Sequence, residues 1–186
     1  MPTLHGRRVL DLACGTGRYT RLLGPQTTVI VSVDLSTMML SHAAVPLRIR
    51  ADMCRLPMAD QSFDVIVCGL AVGHVVNLAG WMHEMARVLR PGGTLLYSDF
   101  HPDAARAGLQ RTFKDHSGTR RVLPHHVHST ADHRRAVDAG TLRLGAFIDL
   151  RAGIEVSEPF AGSDAFYSQW HGLPLVLVVA AHKARQ

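Results

Sequence analysis

The sequence has no apolar run long enough to cross a bilayer, and it has no secretory signal. Its longest apolar stretches, such as residues 173–181, are far shorter than the roughly 20 residues that a spanning helix needs. The N-terminus lacks a charged segment followed by an apolar one and a cleavage site. These absences predict a soluble, cytoplasmic protein with no membrane contact.

Cysteine is also scarce. Cys14, Cys54 and Cys68 are odd in number and form no CxxC pair. This spacing argues against a disulfide framework and against a thiolate zinc site, so buried reduced thiols and no metal are expected.

The chain has no basic run or stripe, although its formal net charge is +5. The excess is spread over single residues and pairs such as Arg7-Arg8 and Arg120-Arg121. Nucleic acid is therefore an unlikely partner.

The length and the apolar pattern predict one α/β domain covering residues 1–186. A chain of 186 residues that is 47% hydrophobic can bury one sizeable core. Short apolar runs typical of strands buried on both faces lie at Val9–Ala13, Thr28–Asp34, Leu47–Asp52, Phe63–Leu70 and Thr94–Phe100. Helical spacing between most of them lies at Arg18–Leu23, Ser36–His42 and Leu78–Leu89. This alternation predicts a mostly parallel sheet.

After Phe100 the sequence turns polar and rich in histidine. The stretch KDHSGTRR, residues 114–121, is typical of a hairpin turn. A helix is expected over Thr130–Ala139, because Ser129 or Thr130 can cap it and Gly140 can end it. Two further strands are expected at Ala146–Val156 and Leu173–Ala181.

The stretch VLDLACGTG, residues 9–17, ends an apolar strand in two closely spaced glycines. A Walker-type phosphate loop would continue with Lys and then Ser or Thr, but Arg18 and Tyr19 follow. The dinucleotide fingerprint needs Gly or Ala three residues after the second glycine, where this chain has Thr20. A nucleoside triphosphate is therefore unlikely, and pyrophosphate binding is disfavoured without being excluded.

Two aspartates favour a different ligand. Asp34 ends the second strand, where a carboxylate can accept hydrogen bonds from both ribose hydroxyls. Asp11, in the first strand, is expected to point into the same crevice, where it would repel a diphosphate but not a cation. Asp52 can accept a hydrogen bond from an exocyclic amine, and Met53 can form an apolar wall for a purine. The predicted ligand carries ribose, an adenine-like base and positive charge.

Four stretches occur in order and in register: VLDLACGTG, VDLS, ADMCRLPMADQSFDVIV and RVLRPGGTLLYSDF. Together they resemble class I S-adenosylmethionine-dependent methyltransferases, in particular the small-molecule branch with the ubiquinone and menaquinone C-methyltransferases. The resemblance runs from about Val9 to Phe100. It implies a Rossmann-like, doubly wound sheet of seven mostly parallel strands with an antiparallel last strand. Residues 1–100 would form the cofactor-binding half, and residues 101–186 the acceptor-binding or cap half.

The resemblance implies S-adenosyl-L-methionine as the cofactor. Thr16 and Gly17 would approach its methionine part, and Gly69 would lie beside the sulfonium. The full set of predicted cofactor-binding residues is Asp11, Ala13, Gly15, Thr16, Gly17, Asp34, Leu35, Asp52, Met53 and Gly69.

Two departures from the family stand out. The family usually has glycine where this chain has Ala13, whose methyl group could crowd the cofactor carboxylate. Because Ala13 is expected in strand conformation, no positive φ is needed there. The first strand also begins almost at Met1, which leaves no room for the helical lid that normally precedes it. Either the sequence lacks an N-terminal segment, or the far half closes the site alone, or a homodimer or partner chain supplies a lid.

Methyl transfer needs no metal, because a sulfonium is already an activated donor. A general base would help if the acceptor is a hydroxyl or an acidic carbon. His74, after the fourth strand, and His101, after the fifth, are the candidate catalytic residues, with hydrogen-bonded loop histidines as the alternative. Tyr19 either packs on the cofactor or covers the core edge.

The stretch HHVHSTADH, residues 125–133, allows three interpretations: a metal site, an acceptor-binding cap or a solvated hairpin. The metal interpretation is disfavoured because no second cluster completes a ligand set. Trp170 and His171 either line the acceptor pocket or lie at the core edge.

The sequence therefore predicts methyl transfer to a small-molecule acceptor, at oxygen or carbon. An NPPY-type signature of amino-group methylation is absent, since LAVGHV follows Gly69. The alternatives are a non-catalytic S-adenosylmethionine-binding partner subunit and a nucleotide-dependent oxidoreductase.

Overall fold

The computed structural model describes residues 4–151, 153 and 169–185. The strands are β1 (Arg8–Leu12), β2 (Val29–Asp34), β3 (Arg48–Arg50), β4 (Phe63–Gly69), β5 (Leu89–Phe100), β6 (Thr112–Lys114), β7 (Arg120–Val122), β8 (Leu142–Arg151) and β9 (Pro174–Lys183). The helices are α1 (Arg18–Leu23), α2 (Thr37–His42), α3 (Leu78–Val88), α4 (Pro102–Arg106) and α5 (Thr130–Ala139), with 3-10 turns at Gly24–Gln26 and Val72–His74. Within this part of the chain, no helix combines the length and apolarity that a bilayer crossing requires.

Seven of these strands form one sheet in the order β3-β2-β1-β4-β5-β9-β8. Strands β1 to β5 pair in parallel, and β9 runs antiparallel to both β5 and β8. This confirms the predicted doubly wound sheet with an antiparallel last strand. The strand order reverses between β1 and β4, and ligands of open α/β sheets bind beyond the carboxyl ends of the strands at such a point.

The main core lies between the sheet and helices α3 and α5. Trp81 and Met85 on α3 are buried, as the helical spacing predicts, and Trp81 packs edge-on against Tyr97 of β5 with ring centres 5.4 Å apart. Helix α3 begins where the Asn77 side chain accepts a hydrogen bond from the Gly80 N–H. This packing supports the strands whose ends form the crevice.

Helix α5 and the hairpin confirm two local predictions. Helix α5 spans Thr130–Ala139 and starts with a capping box in which Ser129 and Asp132 bond each other's backbone N–H groups. The hairpin predicted around KDHSGTRR is formed by β6 and β7, which pair antiparallel.

Two strand starts were predicted too late. Strand β5 begins at Leu89 because Leu89 already pairs with Phe63, before an irregular stretch at RPGG. Strand β8 begins at Leu142, because its pairing with β9 continues through a register shift next to Gly145. Much of the far end of this expected strand, residues 152–156, lies outside the described residues.

His133 is a buried histidine in this core. It lies on α5, only 2% of its surface is exposed, and its Nδ1 lies 3.1 Å from the Tyr97 hydroxyl oxygen. Burial lowers the pKa of the imidazole to about 4. The ring therefore stays neutral in the folded protein well below pH 6.5.

We expect this burial to make the fold sensitive to acid. In the unfolded chain His133 takes up a proton near pH 6.5, and in the folded protein only near pH 4, so the unfolded state binds more protons between these values. As the pH falls from 6.5 to 4, protonation of this residue alone should lower the free energy of unfolding by about 3 kcal/mol. Urea unfolding at several pH values measures the free energy of unfolding. This free energy should depend less on pH in His133→Gln than in the wild type or in His116→Gln, which alters an exposed hairpin histidine. Equal acid sensitivity in all three proteins would contradict this expectation.

Candidate active site

A cavity of about 890 Å³ opens at the carboxyl ends of the parallel strands, where the strand order reverses. The predicted site residues that line it are Ala13, Gly15, Asp34, Leu35, Asp52, Met53, Gly69 and His74. Asp11, Thr16, Gly17 and His101 do not line it. The first four strands thus contribute side chains or turns to one crevice.

Asp34 ties two of these strands together. One carboxylate oxygen accepts the Gly15 N–H at 2.8 Å, and the other accepts the Ser36 N–H at 2.8 Å. Ser36 in turn caps α2 by accepting the Met39 N–H. A carboxylate can accept about four hydrogen bonds. Each oxygen therefore keeps a lone pair for a ribose hydroxyl.

Asp11 corrects the expectation that its charge faces the crevice. It is fully buried, and one oxygen accepts both the Thr20 N–H at 2.8 Å and the Thr20 hydroxyl at 2.5 Å. Burial raises the pKa of this carboxyl. Side chains alternate along a strand, and Asp11 faces the first turn of α1. Its role is to hold α1 beneath the glycine turn.

Ala13 corrects a second expectation, because its φ is +53°. The chain turns sharply after β1, so that the Cys14 N–H bonds the Val33 carbonyl and the Gly17 N–H bonds the Cys14 carbonyl, both at 2.9 Å. This path requires the left-handed region, which costs an L-residue roughly 1–2 kcal/mol.

The variant Ala13→Gly should therefore stabilise the protein, by up to about 1 kcal/mol after the larger entropy loss of glycine is subtracted. It should also remove a methyl group from the cavity wall. Urea unfolding midpoints check the first effect and calorimetry with S-adenosylhomocysteine the second. Ala86→Gly, in the interior of α3, is the matched control and should destabilise. A lower midpoint for Ala13→Gly would show that position 13 carries no strain.

Thr16 and Gly17 shape the turn instead of lining the cavity. Gly17 has φ +81° and precedes α1, and a Cβ there would lie 2.6 Å from Val45 Cγ1. Thr16 is exposed, and its carbonyl accepts a hydrogen bond from Arg21 Nη1. The predicted approach of both residues to the methionine part stays a prediction.

Gly69 lines the cavity and is backed by an aromatic ring. A Cβ at this position would lie 2.2 Å from Tyr19 Cε2, so a larger residue would collide with that ring. Tyr19 itself packs at the edge of a second apolar cluster and lines a separate apolar cavity of about 490 Å³. The core-edge interpretation of Tyr19 is therefore the one that the structure supports.

The β3 side of the cavity is apolar with one carboxylate. Asp52 is exposed, and its Oδ1 accepts the Cys54 N–H at 2.8 Å, while Met53 and Met39 lie in the same wall. Cys54 is exposed, which corrects the expected buried thiol; Cys14 and Cys68 are buried. Partial burial raises the pKa of the Cys54 thiol to about 11, so it is protonated at neutral pH and is a poor nucleophile.

The opposite side of the cavity carries His74 and Arg111. His74 ends the 3-10 turn after β4, and its Nε2 lies 3.4 Å from Arg111 Nη1. Partial burial and then the charge of Arg111 lower the pKa of His74, which keeps the imidazole neutral at neutral pH. Sequence reasoning missed Arg111, because a single arginine in a polar stretch matches no motif.

Arg111 is held by the end of β5. Its Nη2 lies 3.4 Å from Asp99 Oδ1, and its guanidinium carbon lies 4.8 Å from the Phe100 ring centre. Asp99 is only 2% exposed, and burial raises its pKa to about 6.

His101 does not belong to this site. It is 3% exposed, its Nδ1 accepts the Asp103 N–H and caps α4, and its Nε2 lies 3.3 Å from Asp149 Oδ1. The residue directly follows β5, but its side chain turns toward α4 and β8. The candidate catalytic role for His101 is therefore corrected to a structural one.

The histidine-rich stretch packs over the loop that follows β4. His126 donates its N–H to the Gly73 carbonyl at 2.7 Å, and His128 Nε2 lies 2.7 Å from the Val75 carbonyl. The His125 ring packs so closely on Gly73 that a Cβ there would lie 2.2 Å away. Across residues 4–151, 153 and 169–185, no group of three or more metal-ligating side chains is placed to hold an ion. The stretch therefore packs on the loop between β4 and α3, and none of residues 125–133 lines the cavity, so the cap interpretation stays a prediction.

Trp170 and His171 do not line the main cavity. Trp170 is 5% exposed and His171 is exposed. The core-edge interpretation fits Trp170.

Comparison with known proteins identifies similar chains. Residues 10–97 match the family described as a methyltransferase domain. A demethylmenaquinone methyltransferase of Mycobacterium sp. strain KMS is 41% identical over 105 residues, which cover 55% of this chain and 45% of the relative. One of Mycolicibacterium paratuberculosis is 31% identical over 183 residues, covering 96% of this chain and 76% of the relative. In several mycobacterial matches the aligned part spans less than half of the relative's length.

Among solved structures, an S-adenosylmethionine-dependent methyltransferase from Mesorhizobium loti superimposes with a TM-score of 0.78. The two chains are 22% identical, and the superposition covers 98% of this chain and 94% of the other. This likeness establishes the shared fold.

Proposed function

Because this chain belongs to the family of class I S-adenosylmethionine-dependent methyltransferases, we propose that it methylates a small-molecule acceptor at oxygen or carbon. One observation carries the proposal: residues suited to ribose, adenine and proton transfer all line one cavity at the switch point of the sheet. These residues are Asp34, Asp52, Met53, Gly69 and His74. The cytoplasmic setting expected from the sequence is part of the proposal.

The residues on the β2 and β3 side fit the adenosine part of the cofactor. Asp34 has one free lone pair on each oxygen, which suits the two ribose hydroxyls. Asp52 can accept a hydrogen bond from an adenine amine, while Met53 and Leu35 offer apolar contact to the ring. Gly15 leaves open space at the end of β1, since a Cβ there would meet nothing within 4 Å.

The residues on the β4 side would handle the acceptor. S-adenosylmethionine supplies an activated methyl group when bound. His74 is neutral at neutral pH and can take a proton at Nε2 from an acceptor hydroxyl or acidic carbon. Leu70, Val76 and Leu123 line the same cavity and give it an apolar surface. In this proposal residues 1–100 bind the cofactor and also supply the base His74, and residues 101–186 form the rest of the acceptor-binding half.

Calorimetry with S-adenosylhomocysteine and with NAD tests the cofactor. We expect saturable heat with the first and none with the second, because Thr20 stands where the dinucleotide fingerprint needs Gly or Ala. Binding of NAD alone would return the protein to the oxidoreductase alternative.

Methyl transfer to a panel of phenols, enols and amines, followed by product mass, tests catalysis. Transfer to oxygen or carbon supports the proposal. Cofactor binding without transfer to any acceptor, with or without a candidate partner chain, would favour the non-catalytic alternative. The same assay run over a range of protein concentrations tests whether a homodimer or a partner supplies a lid.

A further inference from the structure

Arg111 is a cation placed at the acceptor end of the cavity. In the strand order, Asp52 of the β3 end and Asp34 of the β2 end lie on one side of the switch point, while His74 and Arg111 lie on the β4 and β5 side. Only 16% of the Arg111 side chain is exposed, and the cavity is what it faces. The one cationic side chain among the lining residues of the described chain therefore lies on the other side of the switch point from Asp34 and Asp52.

The hydrogen bonds of this guanidinium are incomplete. Its contacts to Asp99 and to His74 are both 3.4 Å long, whereas charge-assisted N–H···O bonds are about 2.7–2.9 Å. Its Nε is buried and has no hydrogen-bond partner among the described residues. A guanidinium carries five N–H donors, so most of the donor capacity of Arg111 is unused.

The surrounding charges do not neutralise Arg111. Burial lowers the pKa of the guanidinium, and the neighbouring Asp99 is itself a weakened anion because burial raises its pKa to about 6. His74 is neutral and adds no negative charge. The Phe100 ring lies under the guanidinium and orients the guanidinium plane. The ring is a weaker hydrogen-bond acceptor than an anionic oxygen. An additional anionic oxygen in the cavity would complete this arrangement.

We propose that Arg111 binds an anionic oxygen of the acceptor and so selects acceptors with an acidic hydroxyl, such as phenols and enols. This inference rests on the proposed methyl transfer and names the residue that recognises the acceptor. The acceptor oxygen replaces His74 Nε2 as the hydrogen-bond partner of Arg111 Nη1, which frees the Nε2 lone pair. The acceptor hydroxyl then gives its proton to His74 Nε2, and the resulting oxyanion stays against Arg111. An electron pair of the oxyanion, or of a carbon conjugated with it, forms the new bond to the methyl carbon. The pair of the broken carbon–sulfur bond remains on sulfur, which becomes a neutral thioether. Asp99 acts as a positioning residue that holds the guanidinium at the cavity edge.

Binding of 4-nitrophenol, whose colour reports its ionisation, tests the role of Arg111 without turnover. The phenol is titrated into the protein together with S-adenosylhomocysteine, at a pH below the pKa of the phenol. The wild type should bind it as the yellow phenolate. Arg111→Gln should bind it about ten- to a hundredfold more weakly and without the phenolate colour, since a hydrogen bond to a charged group is lost. Arg111→Lys should recover part of the colour, because it keeps the charge without the planar fork.

Arg120→Gln is the matched control, because Arg120 is an exposed arginine of the nearby hairpin and should leave the phenolate signal unchanged. Calorimetry with S-adenosylhomocysteine alone shows whether each variant keeps a folded cofactor site. Binding of the neutral phenol by the wild type, no binding of the phenol at all, or equal phenolate binding by Arg111→Gln would overturn the proposal. Failure of the wild type to bind S-adenosylhomocysteine would instead count against the proposed function, and the colour with phenol alone would still report on Arg111.

Discussion

Asp34→Ala should weaken the binding of S-adenosylhomocysteine by roughly a hundredfold or more. Two hydrogen bonds from ribose hydroxyls to a charged carboxylate are each worth about 1.5–3 kcal/mol, and every 1.4 kcal/mol is a factor of ten. The variant also frees the Gly15 N–H and the Ser36 N–H, so the glycine turn loses its tie to β2. Isothermal titration calorimetry measures the loss directly.

Two further variants test whether the loss of affinity comes from the charge of Asp34. One keeps the side-chain volume, and the other removes a carboxylate elsewhere on the surface. Asp34→Asn keeps the volume but replaces one acceptor oxygen by a donor, so we expect an intermediate loss. Asp60→Ala removes a carboxylate that is 72% exposed and pairs with Arg87 away from the cavity, and it should leave the affinity unchanged. Wild-type affinity in Asp34→Ala would show that the cofactor is held elsewhere.

His74→Gln should slow methyl transfer by about 10²- to 10⁴-fold and leave the affinity for S-adenosylhomocysteine unaltered. This is the range that a positioned general base contributes. Glutamine preserves a polar side chain of similar length but cannot take up the proton. Initial rates at saturating cofactor, with the acceptor found in the panel, measure the effect.

The pH profile gives His74 a second signature. Because partial burial and Arg111 lower its pKa, the rate of the wild type should stay level through neutral pH and fall only at a pH below the ordinary histidine value of 6.5. That acid limb should be absent from His74→Gln. His83→Gln, an exposed histidine of α3, is the control and should keep both the rate and the limb. An undiminished rate in His74→Gln would remove the imidazole from the chemistry.

The strands and helices that carry the site could be predicted from the sequence because their signals are local. Helix α1 has the predicted bounds Arg18–Leu23, and α5 has the predicted bounds Thr130–Ala139. The glycine turn followed β1 as predicted, and Asp34 ended β2. In an open parallel sheet the carboxyl ends of neighbouring strands meet at one edge, so these positions predict the crevice from the sequence alone.

The direction of individual side chains could not be predicted in the same way. Asp11 lies in β1 and His101 directly follows β5, yet Asp11 bonds Thr20 of α1 and His101 caps α4. Which way such a residue points depends on the twist of the sheet and on the helix packed against it. A polar residue turns to the partner that satisfies its hydrogen bonds, and that partner is set by the fold.

The sequence by itself determined the parallel sheet, the place of its switch point, the glycine turn and the position of Asp34 at the end of β2, since each depends on neighbours along the chain. Only the tertiary structure decided the left-handed backbone of Ala13, the exclusion of His101 and the contact of Arg111 with His74 on one side of the cavity. Residues 74 and 111 are distant in the sequence and come into contact only because the chain folds. A pattern read along one segment of the chain carries no information about such a contact.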